Sequence, residues 1–254
     1  MPPEPARLPL THAIVLGALH GPAELLPVSS SAHVTLVPAL LEWPYADLPP
    51  DVRKAFEVAL HTGTLLGLLA LVPRPPLLLA VLATLPAAAA GFVLEHPIEQ
   101  RLGGVRATAA GLVAGSAILV AADALGREDR SPDALGACDA LLLGAAQATA
   151  LLPGLSRLGM SVAAARALGV PRASAFGLGR SIGLPLLAGA TVLKGARLVA
   201  TGLPRPLRPP FLAGAAAAAA STLAAAPLRR RVGVRGPAAE RVALAALALA
   251  RGRR

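Results

Sequence analysis

PPLLLAVLATLPAAAAGFVL, residues 75–94, is a run of 20 positions without a charged side chain. A second run of the same kind, PPFLAGAAAAAASTLAAAPL, occupies residues 209–228. An α-helix needs about 20 apolar residues to cross the roughly 30 Å hydrocarbon core of a bilayer. The apolar residues come in blocks, whereas a barrel strand alternates apolar and polar positions. These two runs therefore predict an all-α, polytopic membrane helical bundle.

The composition of the chain supports a membrane protein and argues against a nucleic-acid partner. Only 15% of the 254 residues are charged and 55% are hydrophobic, while soluble domains carry about 25% charged residues. The net charge of +10 comes from arginines in short gaps between apolar segments, where such residues set helix orientation and contact anionic headgroups. The arginines form four clusters: Arg127 and Arg130; Arg205 and Arg208; Arg229, Arg230, Arg231 and Arg235; and Arg251, Arg253 and Arg254.

The sequence indicates no cleaved signal peptide, and no disulfide or zinc site built on cysteine. Residues 1–7 are rich in proline, carry a single arginine and precede no obvious small-residue cleavage site. We therefore predict that the first apolar segment is retained rather than removed as a signal peptide. Cys138 is the single cysteine of the chain and excludes an intrachain disulfide, and no Cys/His spacing of a zinc site occurs.

Ten apolar segments follow one another along the chain. Several of them are too short to span a bilayer, and those near Pro27, Pro153 and Gly154 are predicted to be broken or re-entrant helices. Non-helical backbone is tolerated at membrane depth where it is buried in protein or lines a wet cavity. The segments are 8–22, 25–41, 55–73, 75–94, 104–125, 134–152, 158–170, 181–200, 209–228 and 237–250.

The two halves of the chain contain similar sequences. Residues 15–29 and 142–156 share Leu-Gly-Ala, then Leu-Leu-Pro, then Ser, with a slip of one residue. Interrupted segments at corresponding places in two halves point to a binding site at a repeat interface. We predict one membrane domain, 1–254, with pseudo-repeat halves of about 8–125 and 134–250. Gly111 and Gly115 form a GxxxG pattern, which favours close helix packing within the fold or, alternatively, a dimer face.

ELLPVSSSAH, residues 24–33, places a carboxylate, three hydroxyls and an imidazole within an apolar region. Ionisable residues are costly in a membrane and so indicate function. If Ser29–Ser31 begin a helix, a serine caps it and the free N–H groups favour an anion. A serine beside His33 can act as a nucleophile, and Glu24 can hold a cation or orient the histidine. The alternative is that the serines only cap the helix and His33 is an interior histidine with satisfied hydrogen bonds.

PGLSRLGMS, residues 153–161, is a second polar stretch in apolar surroundings. The planar guanidinium of Arg157 suits phosphate oxygens. Gly154 and Gly159 let the backbone approach a ligand, while Ser156 and Ser161 add hydroxyl donors. The alternative is a structural ion pair of Arg157 with Glu24 or Glu57.

Together the two stretches resemble motifs of the bacitracin-resistance (BacA-type) undecaprenyl-diphosphate phosphatase family of bacterial membranes. Residues 24–33 are similar to the family's glutamate followed by Leu-Pro-Val-Ser-Ser-x-x-His. Residues 153–161 are similar to its Pro-Gly-x-Ser-Arg-Ser-x-x-Thr run. Weaker similarities occur at 54–58, 85–87 and 184–191, in the expected order along the chain.

The resemblance implies a multi-pass enzyme of the bacterial cytoplasmic (inner) membrane, often a homodimer. Its substrate would be C55 isoprenyl diphosphate, whose terminal phosphate is removed to recycle the carrier lipid for peptidoglycan synthesis. The implied fold has two re-entrant helix hairpins in an inverted repeat, and the implied cofactor is Mg²⁺ or Ca²⁺. The implied site residues are Glu24 as the acid and metal ligand, Ser29 and Ser30 as the hydroxyl pair, His33 as the imidazole, and Arg157 with Gly154, Ser156 and Ser161 around the diphosphate.

The chain departs from the family pattern at three positions. His20 stands where the family usually has Glu or Gln, Leu158 replaces a serine, and Ser161 replaces a threonine. Ser161 keeps the hydroxyl, whereas Leu158 removes a donor. Imidazole is a poor ligand for Mg²⁺ or Ca²⁺, which prefer oxygen, so His20 is predicted to contact the diphosphate or to act as a base.

For the mechanism we predict attack by Ser30, or second by Ser29, on the terminal phosphorus, with His33 moving the proton. A metal-activated water is the alternative nucleophile. Two other functions stay open. His20 and Leu158 suggest a catalytically silent lipid-diphosphate binder, and the broken helices and repeat suggest a polyprenyl-phosphate transporter.

Overall fold

The computed structural model of the protein describes residues 8–231 and 233–251. Residues 1–7, whose composition entered the prediction of a retained first segment, and Arg253 and Arg254 of the last arginine cluster lie outside this range. Within it the chain forms helices and no strand. The α-helices are α1 Leu10–Leu25, α2 Ser30–Leu40, α3 Pro50–Leu71, α4 Leu77–Leu102, α5 Val105–Leu125, α6 Ala137–Ala148, α7 Arg157–Ala167, α8 Arg172–Thr201, α9 Arg208–Ala224 and α10 Arg235–Arg251.

Each predicted apolar segment overlaps one of these helices, which confirms the all-α prediction. The largest difference is at α8, which begins at Arg172 although its apolar segment begins at 181. Pro171 occupies the N-cap there, a position where the missing N–H of proline removes no helical hydrogen bond. Similarly, α3 begins at Pro50 and includes a charged first turn that hydropathy alone omits.

Four of the described helices are long and apolar enough to cross a membrane. They are Pro50–Leu71, Leu77–Leu102, Val105–Leu125 and Arg172–Leu198. α4 presents most of its side chains outward, and Leu77, Leu78 and Phe92 are at least two-thirds exposed. Because large apolar side chains on a protein surface are suited to lipid rather than water, the chain is an integral membrane protein.

Glycines let the helices approach closely. α1 packs on α9, and a Cβ at Gly17 would collide with the Gly214 carbonyl. α6 packs on α4, and a Cβ at Gly144 would collide with the Ala83 carbonyl. Gly111 packs against the Pro153 carbonyl in the same way. The small residues therefore serve helix contacts inside the molecule.

The remaining packing brings two short helix pairs together. α1 and α2 are joined by the turn at 26–29, and α6 and α7 by the segment 149–156. α5 packs against α7 and α10, while α3 packs against α8 and α9. Arg180 of α8 donates to the Leu25 carbonyl from Nε (3.1 Å) and Nη2 (3.0 Å), which pairs a carbonyl at the C-terminal end of α1. The first turn is thereby held against the second half of the chain.

Candidate active site

Glu24 and Arg157 lie at the facing ends of two different helix pairs. Glu24 is in the last turn of α1, and Arg157 is the first residue of α7. The Arg157 Nη2 donates to Glu24 Oε2 at 2.7 Å. Both side chains are largely buried, with 10% of Glu24 and 17% of Arg157 accessible. Of the two ion-pair partners suggested by the sequence, Arg157 therefore takes Glu24, while Glu57 pairs with Lys54 at 3.8 Å.

The guanidinium of Arg157 rests against Gly183 of α8. A Cβ at Gly183 would overlap the guanidinium, so only glycine fits there without displacing it. The Arg157 Nη1 is buried and has no hydrogen-bond partner in the structure. A buried unpaired donor of this kind costs free energy unless a ligand pairs with it.

Ser30 shares the Glu24 carboxylate with Arg157. Its hydroxyl donates to Glu24 Oε1 at 2.5 Å. Ser29 precedes α2 with a left-handed φ of 70°, and its side chain makes no capping hydrogen bond, contrary to the prediction that a serine caps this helix. The hydroxyl of Ser29 lies instead 3.4 Å from that of Ser31. Without a side-chain cap, the first N–H groups of α2 stay available to an anion.

His33 is held by two partners, and neither is a serine hydroxyl. Its Nδ1 lies 2.8 Å from the Ser29 carbonyl, and a carbonyl only accepts, so this nitrogen carries a proton. Its Nε2 lies 2.8 Å from Glu240 Oε1. The predicted contact between a serine hydroxyl and His33 is thus not found, because Ser30 donates to Glu24 instead.

His20 is completely buried beside Glu24. Its Nδ1 lies 2.8 Å from the Thr64 hydroxyl, and its Nε2 has no hydrogen-bond partner. The His20 ring stands edge-on to the ring of His61, 4.5 Å between centroids. His61 Nε2 in turn lies 3.6 Å from Glu24 Oε1.

The other predicted residues of the second stretch contribute to local structure. Ser156 caps α7 by accepting from the Gly159 N–H at 3.1 Å, and the hydroxyl of Ser161 donates to the Arg157 carbonyl at 2.9 Å. Gly154 has a φ of 88°, and its Cα packs so closely on α5 that a Cβ would meet the Thr108 carbonyl. Leu158 lies in the apolar core against α8, so its lost hydroxyl removes no donor from the Glu24 pocket.

A fully buried arginine on α10 joins the two turns. Arg241 donates from Nη2 to the Gly154 carbonyl at 3.0 Å and from Nη1 to the Pro27 carbonyl at 3.4 Å. It packs against Gly115 of α5, the second glycine of the GxxxG pattern. Both turns are therefore fixed to each other by one side chain from a third element.

Sequence reasoning missed His61, Glu240 and Arg241. Each is an ionisable residue inside an apolar segment, which is a general signal of function in a membrane protein. Their partners are distant in the sequence and cannot be recognised from local patterns; Glu240, for example, lies 207 residues from His33. Arg241 is one of many arginines in the sequence, and nothing local sets it apart. In the part of the chain that the structure describes, it is the largest fully buried side chain.

The site combines the Ser30 hydroxyl bound to the Glu24 carboxylate, the Arg157 guanidinium with one unpaired nitrogen, and the N-termini of α2 and α7. These groups suit a phosphate ester or anhydride, because the cationic groups neutralise oxygen charge while the carboxylate can accept a hydroxyl proton. His20, Glu24 and His61 also form a possible metal-binding group, with one ligand atom from each residue and all three within 4.8 Å. Two imidazoles and one carboxylate do not make the oxygen-rich site that Mg²⁺ or Ca²⁺ needs, so the predicted cations do not fit this set.

The family model described as "Bacitracin resistance protein BacA" matches residues 13–75 and 74–233. A protein named "Undecaprenyl-diphosphatase" from Geobacter sulfurreducens is 38% identical over 208 residues, which cover 73% of this chain and 75% of the relative. Proteins of the same name from Alcanivorax borkumensis (37%, 72% and 75%) and Thermomicrobium roseum (37%, 72% and 74%) are similarly related. The family match ends before Glu240 and Arg241.

Proposed function

The chain belongs to the BacA family of bacitracin resistance proteins, and on this premise we propose that it is an undecaprenyl-diphosphatase. It removes the terminal phosphate of C55 isoprenyl diphosphate and returns the carrier lipid to peptidoglycan synthesis. The observation that carries the proposal is the shared Glu24 carboxylate, which accepts from Ser30 on one oxygen and from Arg157 on the other.

In the proposed mechanism Ser30 is the nucleophile. Its Oγ attacks the terminal phosphorus while its proton passes to Glu24, the carboxylate it already contacts. The bond between the terminal phosphorus and the bridging oxygen breaks, and lipid monophosphate leaves. Water then attacks the phosphoserine, the bond between phosphorus and Oγ breaks, and Glu24 returns its proton to Oγ, which restores the serine. Dihydrogen phosphate leaves with both hydrogens of the water.

Arg157 supplies the charge stabilisation. Phosphoryl transfer depends mainly on positioning and on neutralising the equatorial oxygens. The unpaired Nη1 of Arg157 gives the diphosphate a donor while Nη2 stays on Glu24. The free N–H groups at the start of α2 add further donors next to Ser30.

His33 and Glu240 position the nucleophile in this proposal. His33 fixes the left-handed turn at Ser29 through its carbonyl. Glu240 Oε1 accepts from the other ring nitrogen, so both nitrogens of His33 face acceptors and the ring is held in one orientation. Four further residues were predicted around the diphosphate. In this proposal His20 lines the pocket beside Glu24, while Gly154, Ser156 and Ser161 shape the turn before α7 and the first turns of that helix.

We also propose that the fold is an inverted repeat with two re-entrant hairpins, α1–α2 and α6–α7. Gly17 and Gly144 occupy corresponding places in the two similar sequences. Each packs on a backbone carbonyl of a helix in the opposite half, Gly17 on α9 and Gly144 on α4. α2 contacts α10 as α7 contacts α5. These matching contacts support one domain with halves 8–125 and 134–250.

The proposed location is the bacterial inner membrane, with the lipid tail between helices and its headgroup at Glu24 and Arg157. A homodimer stays a prediction from the family resemblance.

The test is release of inorganic phosphate from C55 isoprenyl diphosphate by protein purified in detergent. We expect wild-type turnover, a loss of roughly 10³-fold in Arg157→Ala, and full activity in the control Arg127→Ala, whose side chain is 81% exposed. Absence of release by the wild type would contradict the proposal. Binding without release that becomes release in His20→Glu would favour the silent binder, and movement of lipid phosphate in vesicles without release would favour the transporter.

A further inference from the structure

We propose that His20, Glu24 and His61 bind a divalent transition-metal ion of the imidazole-accepting class, Zn²⁺ or Co²⁺, in preference to Mg²⁺ and Ca²⁺. The relevance of the ion to hydrolysis rests on the proposed function, whereas binding itself is tested without substrate. The set consists of two imidazoles and one carboxylate.

The spacing of the three groups suits one small ion. Their ligand atoms all lie within 4.8 Å of one another, and His61 Nε2 is 3.6 Å from Glu24 Oε1. Ligand atoms of a tetrahedral ion with bonds of about 2.1 Å lie about 3.4 Å apart. The separation of His61 from Glu24 is too long for a hydrogen bond and close to that ligand spacing.

Both rings are oriented through their Nδ1 atoms. His61 Nδ1 lies 2.8 Å from the Glu57 carbonyl, which can only accept, so His61 Nε2 carries the lone pair. His20 Nδ1 contacts Thr64, and the other nitrogen of His20 is buried without a partner. Metal-bound histidines commonly have this arrangement, in which an outer hydrogen bond fixes the ring and the tautomer.

The donor types decide the class of ion. Mg²⁺ and Ca²⁺ take oxygen ligands, and imidazole suits Zn²⁺ and other first-row transition ions. The single carboxylate of the set, Glu24, already accepts from Arg157 on Oε2 and from Ser30 on Oε1. An ion therefore shares Oε1 with the Ser30 hydroxyl, and the two ring nitrogens supply most of the binding.

The experiment titrates Co²⁺ into tag-free protein in detergent and records its visible d–d absorption, with no substrate present. We expect one equivalent of Co²⁺ to bind, Zn²⁺ to displace it, and Mg²⁺ at the same concentration to leave it in place. His20→Gln and His61→Gln should each weaken Co²⁺ binding at least about tenfold. The control His96→Gln changes an exposed histidine outside the set and should bind as the wild type does.

Two further variants address folding and specificity. Thr64→Val keeps the shape of the side chain and removes only the hydrogen bond to His20, so weaker Co²⁺ binding with an unchanged elution volume supports the proposal. His20→Glu supplies a second carboxylate and should raise the ability of Mg²⁺ to displace Co²⁺.

The proposal is overturned if wild type and His20→Gln bind Co²⁺ equally, or if Mg²⁺ displaces Co²⁺ at equal concentration. No Co²⁺ binding together with phosphate release overturns this inference and leaves the proposed phosphatase standing. Co²⁺ binding with no release, whichever ion is added, overturns the phosphatase and leaves the metal site standing.

Discussion

Arg157 Nη2 lies 2.7 Å from Glu24 Oε2, although the two residues are 133 positions apart in the chain. The contact joins the end of α1 to the start of α7 and brings the two polar sequence stretches into one pocket. Because Glu24 also accepts from Ser30 at 2.5 Å, a cation, a carboxylate and a hydroxyl share one place.

Gly183→Ala should lower phosphate release at least about tenfold without changing any charge. A Cβ at this position overlaps the guanidinium of Arg157 and displaces it, and small displacements of a catalytic group can cost about a hundredfold in rate. The measurement is kcat for C55 isoprenyl diphosphate. Gly189→Ala on the same helix is the control, since a Cβ there meets open space. Equal activity in the two variants would contradict the assigned position of Arg157.

Ser30→Ala should abolish turnover, and Ser29→Ala should reduce it less, because only Ser30 contacts Glu24. A rapid acid quench of the wild type followed by peptide mass spectrometry should find phosphate on Ser30. Full activity in both single variants, or phosphate on neither serine in a protein that turns over, would point to water as the direct nucleophile.

Glu240→Gln should lower kcat roughly tenfold and leave KM unchanged, because Glu240 contacts His33 and is not placed against the diphosphate. Glu240→Leu, which has no acceptor, should lower kcat further. Asp133→Asn is the control at an exposed acidic residue. A Glu240→Leu variant with wild-type kcat would show that the contact with His33 has no part in turnover.

Arg241→Met should destabilise the protein by about 3 kcal/mol, because it leaves the Pro27 and Gly154 carbonyls without their buried donor. Thermal unfolding in detergent measures the change. Arg235→Met on the same helix replaces an exposed arginine and should unfold within a few degrees of the wild type. Equal melting temperatures for the two variants would mean that Arg241 does not hold the turns together.

Much of this architecture is predictable from local sequence. A charge-free run such as 75–94 can satisfy its polar backbone in lipid only as a helix, and the structure has α4 there. Pro27 and Pro153 interrupt apolar segments and correctly predict the two turns. The interpretation of Arg157 as a partner of Glu24 follows from the cost of an isolated charge in an apolar setting.

The side-chain partners are not predictable in this way. Which hydroxyl meets Glu24 depends on the left-handed φ of Ser29, and no periodicity encodes it. His61 and Glu240 reach the pocket only because α3 and α10 pack beside the first hairpin. Their roles follow from tertiary packing, and a single sequence leaves open which of many intramembrane charges meet.

A double-mutant cycle on kcat/KM with Glu24→Gln, Arg157→Ala and the combined variant tests the shared site most directly. Residues that act as one unit lose their joint contribution when either is removed, so effects are strongly non-additive. We expect kcat/KM to fall roughly 10³-fold in each single variant. The double variant should lose about as much kcat/KM as the more impaired of the two single variants. A double variant whose loss is the product of the two single losses would contradict the claim that Glu24 and Arg157 form one catalytic centre.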